Sequence, residues 1–176
     1  LQLHGKGRGV NAFGRHWIEP RLLASEAIHV ERNVIGEAVG CQDQIFAAMG
    51  GLNFVEFYPG ETENWRCTTE SLPSHRLEEL ESSLVLAYTG TMRSAHVMAA
   101  KQIEAMPVTP LYLEALDKLA REARLVLNDE KHHLAAFGMM LGEGWKLKQQ
   151  LCAGITSPSI DALYARGIEL GAWGGK

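Results

Sequence analysis

The helical pattern in the second half of the chain is the feature that most restricts how this sequence folds. From Arg93 onward, apolar residues recur mainly at helical spacing, with breaks at 107–110, at 128–129 and at 154–158. Proline or glycine marks the first and third of these breaks, because proline lacks an amide donor and glycine favours left-handed backbone. The break at 128–129 is the pair Asn-Asp. The sequence therefore predicts several helices in this half, the last of them over SIDALYARGIEL.

The first half combines helices with short strands. Pro20 is placed to begin a helix that runs to about Ile35 and ends at Gly36, and QDQIFAAM predicts a second, short helix. LNFVEFY and WRCTTE predict a β-hairpin, RLEELE a small helix, and LVLAY at 84–88 a short buried strand. The expected fold class is α+β, helix-rich with a small antiparallel sheet.

The first seventeen residues are rich in glycine and show neither the period of a helix nor that of a strand. They are predicted to form a loop or arm. GKGRG within them is not a P-loop, because G-x-x-x-x-G-K-[ST] needs a preceding strand and a following hydroxyl residue.

Composition limits the partners of the chain. With 176 residues and 46% hydrophobic content, it can form one domain or parts of two. A net charge of −4 provides no positive field for nucleic acid or an anionic membrane, so a small molecule is the expected partner. Cys41, Cys67 and Cys152 form no C-x-x-C pair, which argues against a disulfide framework and a zinc site. No signal peptide or membrane span is recognisable, and a cytoplasmic location is expected.

Glu31 is a carboxylate that helical periodicity places among apolar residues. At about 100° per residue, it falls within an arc of the helix that begins at Pro20. The apolar members of this arc are Leu23, Ala24, Ala27, Ile28, Val30, Val34 and Ile35. A carboxylate on such a face pairs with Arg21 or Arg32, is solvated at the edge, or binds a cation. The periodicity leaves these alternatives open.

Asp43 stands between two glutamines in GEAVGCQDQ, directly after a loop bounded by glycines. A carboxylate at this place can cap the following helix, bind a metal ion or accept a proton from a substrate. Which of these applies depends on the groups that the rest of the chain brings to it.

The segment YTGTMRSAHVM offers an anion site. Thr89 lies in a turn, and Arg93 and Ser94 lie in the first turn of a predicted helix, whose free N–H groups favour an anion. Arg93 suits a phosphate or carboxylate. Lys148 falls in an apolar stripe of a helix predicted over about 132–152, from which a lysine can reach solvent.

Seven features in a fixed order make the chain resemble the GHMP small-molecule kinase superfamily. They are Glu31, GEAVGCQDQ, GGLNF, YTGTMRSA, WKLK, GITSPSID and GAWGGK. Within the superfamily they most resemble the bacterial D-glycero-D-manno-heptose 7-phosphate kinases. The resemblance runs from about Glu19 to Lys176. It implies that 19–58 is the end of an N-terminal kinase domain and 59–176 most of a C-terminal one, with 1–18 as a poorly matching arm.

This resemblance implies a reaction. Such kinases use ATP and Mg²⁺, and the acceptor would be the anomeric hydroxyl of a heptose 7-phosphate. An aspartate at the position of Asp43 is the base that faces the attacking hydroxyl. A glutamate nine residues before the loop glycine helps to hold Mg²⁺, and Glu31 has this spacing from Gly40.

The substrate side is less defined by the resemblance. Arg93, together with Ser94, is expected to bind the distal phosphate of the sugar, an expectation that rests on the electrostatics of the helix end. Thr89 and Lys148 match family-like substrate positions without a definite role.

Parts of the family pattern do not occur in the chain. A serine-rich ATP loop of the type G-L-G-S-S-S-A is expected before Ala24, and a further glycine motif is expected after Lys176. The chain is therefore expected to be an incomplete piece of a kinase. A galactose-, fucose- or mevalonate-type acceptor stays open, and the alternative class is a non-catalytic remnant that binds a sugar phosphate or a partner chain. Assembly into a homo-oligomer is compatible with either class.

The 176-residue chain alone is expected to be inactive, because no segment has the sequence of a triphosphate cradle. Calorimetric titration with Mg-ATP should give at best millimolar affinity, about 4 kcal/mol of binding. A coupled assay for ADP release with a heptose phosphate should show no turnover. Micromolar ATP binding or measurable turnover would contradict this prediction.

Overall fold

The chain divides into two compact units, Leu1–Ser71 and Leu72–Lys176. The computed structural model describes residues 8–10, 16–60, 64–90, 95–105, 110–151 and 154–176. The first unit contains β1 (Arg8–Val10), β2 (His16–Ile18), α1 (Pro20–His29), a π-helical segment (Val30–Ile35), α2 (Gln42–Met49), β3 (Asn53–Phe57) and β4 (Trp65–Thr69). The second contains α3 (Ser74–Ser83), α4 (Ala95–Ala105), α5 (Pro110–Asn128), α6 (Leu134–Gln149) and α7 (Pro158–Glu169). The predicted helix-rich α+β class is confirmed.

Proline and glycine delimit the first helix as predicted. Pro20 follows Glu19 at the N-cap of α1, and helical backbone continues through the π-helical segment to Ile35. Gly36 then ends it with a φ of 82°, in the left-handed region that only glycine adopts at little cost. The predicted bounds of α2 are also confirmed.

The core of the first unit lies where α1 and α2 pack on the β-hairpin. Its buried side chains are Ala24, Ile28, Ile45 and Trp65. Strands β3 and β4 pair antiparallel from Asn53 opposite Thr69 to Phe57 opposite Trp65, which confirms the predicted hairpin. Burial of these apolar side chains fixes α2 against α1 and thereby places the start of α2 beside the end of the first helix.

The apolar arc predicted around Glu31 is only partly correct. Ala24 and Ile28 are buried, but three members of the arc are exposed, namely Leu23, Val34 and Ile35. The prediction assumed 100° per residue throughout. From Val30 onward the helix has π geometry, in which each turn contains more residues, so Val34 and Ile35 point in other directions than the wheel gives. Leu23 precedes this segment, and its exposure has no such explanation.

Two further predictions about short strands are wrong. Residues 8–10 and 16–18, expected in a loop or arm, form an antiparallel pair with Gly9 opposite Trp17. Residues 84–88, expected as a buried strand, have no regular structure, and Val85 and Leu86 are 91% and 100% exposed. A β-strand is stabilised by its neighbours, and no other described segment pairs with this one.

A buried arginine connects α3 to the turn between α5 and α6. Arg76 is 3% exposed, and its guanidinium donates to the carbonyls of Val126, Leu127 and His132. It also pairs with Glu79 at 3.0 Å. The last carbonyls of a helix have no partner within the helix, so Arg76 satisfies those at the end of α5 while its charge is balanced.

The C-terminal segment GAWGGK packs closely against α6. Trp173 lies edge-on to His133, with ring centroids 5.2 Å apart. A Cβ at Gly174 would overlap the carbonyl oxygen of Gly138 and come within 2.9 Å of the amide nitrogen of Gly142. Only a residue without a side chain fits between the segment and the helix.

Gly174→Ala is therefore expected to destabilise the chain by about 1–3 kcal/mol, the usual cost of an overpacked contact. Urea unfolding followed by tryptophan fluorescence measures this. Gly167→Ala is the matched control, since nothing lies within 4 Å of the added Cβ in the helix α7. The control should stabilise the helix by about 0.5–1 kcal/mol. Equal stability of the two variants would contradict the close packing.

Candidate active site

The loop between the π-helical segment and α2 is held to the residues that precede it. The backbone N–H of Glu37 donates to the carbonyl of Glu31 at 3.0 Å. The guanidinium Nε of Arg32 donates to the carbonyl of Val39 at 2.8 Å. These bonds connect the two ends of the loop to one helical turn, and they therefore fix the path by which the chain reaches Asp43.

Asp43 lies in the first turn of α2, and its side chain is exposed. The N-cap residue of α2 is Cys41, and no side chain caps the helix there. Asp43 also has no hydrogen bond or ion pair with the residues that the structure describes. Of the alternatives open from the sequence, capping of α2 by Asp43 is thus wrong. The carboxylate of Asp43 is therefore exposed and without a side-chain partner among the described residues.

Glu31 is brought to the start of α2 by a single contact. The side-chain amide Nε2 of Gln44 donates to Oε2 of Glu31 at 2.5 Å, across a sequence separation of thirteen residues. Both side chains are half-buried. Gln44 directly follows Asp43 in α2, so the structure places Glu31 and the carboxylate-bearing turn of α2 next to each other.

The arginines that could have neutralised Glu31 are engaged elsewhere. Arg21 donates to the carbonyl of Trp65 and lies over its ring at 4.1 Å, and Arg32 binds Val39. Within the described ranges Glu31 forms no ion pair. The expected alternative of an ion pair with Arg21 or Arg32 is therefore wrong. A half-buried carboxylate with only a neutral amide as partner keeps its full attraction for a cation.

Gln44 was not predicted as a functional residue. Its Oε1 is buried and has no hydrogen-bond partner among the described residues. Sequence periodicity could not reveal the contact with Glu31, since the two residues belong to different helices and a loop separates them. Its signal in the sequence was its place at the end of GEAVGCQDQ, directly after Asp43 and before the fully buried Ile45.

The other predicted site residues lie in the second unit or outside the described residues. Thr89 is exposed, directly before Gly90, in the segment without regular structure. Lys148 is exposed in the last turn of α6, as expected for a lysine that reaches solvent. Arg93 and Ser94 lie outside the described residues. Within the first unit, the described residues thus place Glu31 beside the start of α2.

The donor set suits magnesium rather than a soft metal. Among the described residues no group of three or more histidine, cysteine, aspartate or glutamate side chains could hold a metal ion. Mg²⁺ is usually bound through one or two carboxylates together with substrate phosphates, and Glu31 is a carboxylate without a competing cation. Cys41 and Cys67 are free, and burial raises the pKa of the Cys67 thiol.

A membrane span is not found among the described helices, none of which is long and apolar enough.

The class of protein indicated by the sequence motifs is confirmed by comparison, since the chain is similar to part of two GHMP-family sugar kinases. It is 30% identical over 169 residues to D-glycero-alpha-D-manno-heptose 7-phosphate kinase of Campylobacter jejuni, a match that covers 88% of this chain and 45% of the relative. It is 28% identical over 160 residues to the bifunctional fucokinase/GDP-fucose pyrophosphorylase of Arabidopsis thaliana, which covers 83% of this chain and 15% of the relative.

The chain thus spans less than half the length of each of these curated relatives. No protein-family model matches the chain. The resemblance predicted from the motifs is that of a partial GHMP-like chain, and both relatives agree with it.

Proposed function

We propose that this chain is part of an ATP-dependent sugar kinase of GHMP fold, which transfers the γ-phosphoryl group of ATP to the anomeric hydroxyl of a heptose 7-phosphate. The printed name of the Campylobacter relative and its match over 88% of this chain support this acceptor. In this proposal 19–58 ends an N-terminal kinase domain and 59–176 forms most of a C-terminal one. The fucokinase relative supports a fucose-type acceptor as the second candidate.

The observation that carries the proposal is the carboxylate of Glu31 beside the start of α2, bonded to an amide and to no cation. Phosphoryl transfer needs a cation on the phosphates and a group that orients the attacking hydroxyl. Glu31 provides an anionic oxygen for the first requirement. Asp43, exposed and one residue before Gln44, provides a base for the second.

Each residue of the proposed site has a distinct task. Asp43 accepts or orients the proton of the sugar hydroxyl, and Glu31 holds Mg²⁺. Held by Glu31, a bound Mg²⁺ would supply positive charge that offsets the negative charge developing on the transferred phosphoryl group. Arg93 and Ser94 bind the distal phosphate of the sugar through charge-assisted hydrogen bonds. Thr89 and Lys148 contact the substrate, and we propose no specific role for either.

Asp43→Asn in the complete enzyme should lower kcat by about 10²- to 10⁴-fold, because the amide keeps the size of the side chain but cannot accept the proton. Steady-state kinetics with the heptose phosphate, together with an ATP-binding titration, measures the effect. ATP binding should change little. Wild-type turnover in the variant would remove Asp43 from the reaction.

Glu31→Gln should raise the Mg²⁺ concentration needed for half-maximal rate several-fold, because a neutral amide replaces an anionic ligand of a hard cation. The rate as a function of Mg²⁺ at fixed ATP measures it. Glu37→Gln is the control, since Glu37 is an exposed carboxylate of the adjoining loop. Identical Mg²⁺ dependence of the two variants would assign Glu31 to the fold alone.

A further inference from the structure

We propose that Gln44 is a positioning residue, which fixes the carboxylate of Glu31 in the orientation that receives the cation of the nucleotide. This inference rests on the proposed function, in which Glu31 holds Mg²⁺. It adds a residue that neither the motifs nor the relatives assign.

The first reason is the geometry of the contact. Gln44 Nε2 donates to Glu31 Oε2 across the loop that separates the two helical segments. A glutamate has three side-chain torsions, and one directional bond from a rigid helix reduces the orientations that its carboxylate samples. Mutation of a group that holds a metal ligand in this way typically lowers metal affinity by about 10- to 100-fold.

The second reason is the energetic cost of burying Oε1, the oxygen of the same amide. Because Nε2 faces Glu31, Oε1 is turned to a place where it is buried and meets no donor among the described residues. A buried acceptor without a partner destabilises a fold. An apolar side chain of equal length would avoid this cost, so stability alone does not account for a glutamine at position 44.

The third reason is charge. A lysine or arginine at position 44 would also orient the carboxylate of Glu31, but it would neutralise the charge that attracts a cation. The neutral amide of Gln44 orients Glu31 and leaves its charge available. A residue that positions a metal ligand must orient the ligand without neutralising its charge.

The test uses electron paramagnetic resonance to measure the binding of Mn²⁺ to the complete protein in the presence of ATP. Mn²⁺ serves as a probe of Mg²⁺ sites. Gln44→Met keeps the length of the side chain and removes the donor, and we expect Mn²⁺ affinity to fall by about tenfold. Gln42→Met, an exposed glutamine on the other side of Asp43, is the matched control and should bind like the wild type. Gln44→Asn keeps the amide on a shorter side chain, and its Mn²⁺ affinity should resemble that of Gln44→Met.

The double variant Glu31→Gln/Gln44→Met separates positioning from a general structural effect. If Gln44 acts through Glu31, Mn²⁺ affinity in the double variant should equal that of Glu31→Gln alone. Thermal unfolding of Gln44→Met should show only a small change in stability, since the substitution removes both the hydrogen bond to Glu31 and the buried Oε1 without a partner.

Three results would overturn the proposal in distinguishable ways. Weak Mn²⁺ binding in Glu31→Gln with wild-type binding in Gln44→Met would refute the positioning role and keep the proposed function. Wild-type binding in both variants would refute Glu31 as a ligand and the positioning role with it. If Gln44→Met lowers Mn²⁺ affinity by the same factor in the wild type and in the Glu31→Gln variant, Gln44 does not act through Glu31. It would then be a structural residue only.

Discussion

The packing of α1 on α2 is the constraint on which the candidate site depends. Ala24 is 0% exposed and Ile45 is 0% exposed, so the two helices meet through side chains that water does not reach. A small residue at position 24 lets the helices approach closely. Their separation fixes the distance between the end of the first helix, which carries Glu31, and the start of α2, which carries Asp43 and Gln44. The hydrogen bond from Gln44 to Glu31 is a consequence of this packing.

Around this contact the positive charges are directed away from the carboxylate. Arg21 lies over the ring of Trp65, and Arg32 holds the loop through the carbonyl of Val39. Neither side chain forms an ion pair with Glu31. Because Arg21 and Arg32 have other partners, the carboxylate of Glu31 is left for an external cation. The proposed chemistry requires such a carboxylate.

Much of the fold could be predicted from local signals in the sequence. Pro20 and Gly36 mark the first helix because their backbone restrictions act at single residues, and the β3–β4 hairpin follows from residue types within a few positions. Local signals failed where the outcome depends on more distant groups. LVLAY reads as a strand but has no described neighbour to pair with, and the helical wheel failed at Val30 because no sequence pattern announces π geometry.

The two carboxylates of the candidate site could be selected from the sequence, whereas the contact that connects them could not. Glu31 and Asp43 follow from the motif and its spacing, whereas the contact of Gln44 with Glu31 needs the path of the loop at 36–40.

The most direct measurement is a crystal structure of the complete protein with Mg²⁺, a non-hydrolysable ATP analogue and a heptose 7-phosphate. We expect the following arrangement: a carboxylate oxygen of Glu31 about 2.0–2.1 Å from the metal, and Asp43 within about 2.6–3.2 Å of the acceptor hydroxyl. A metal held without Glu31, or an acceptor hydroxyl remote from Asp43, would contradict it.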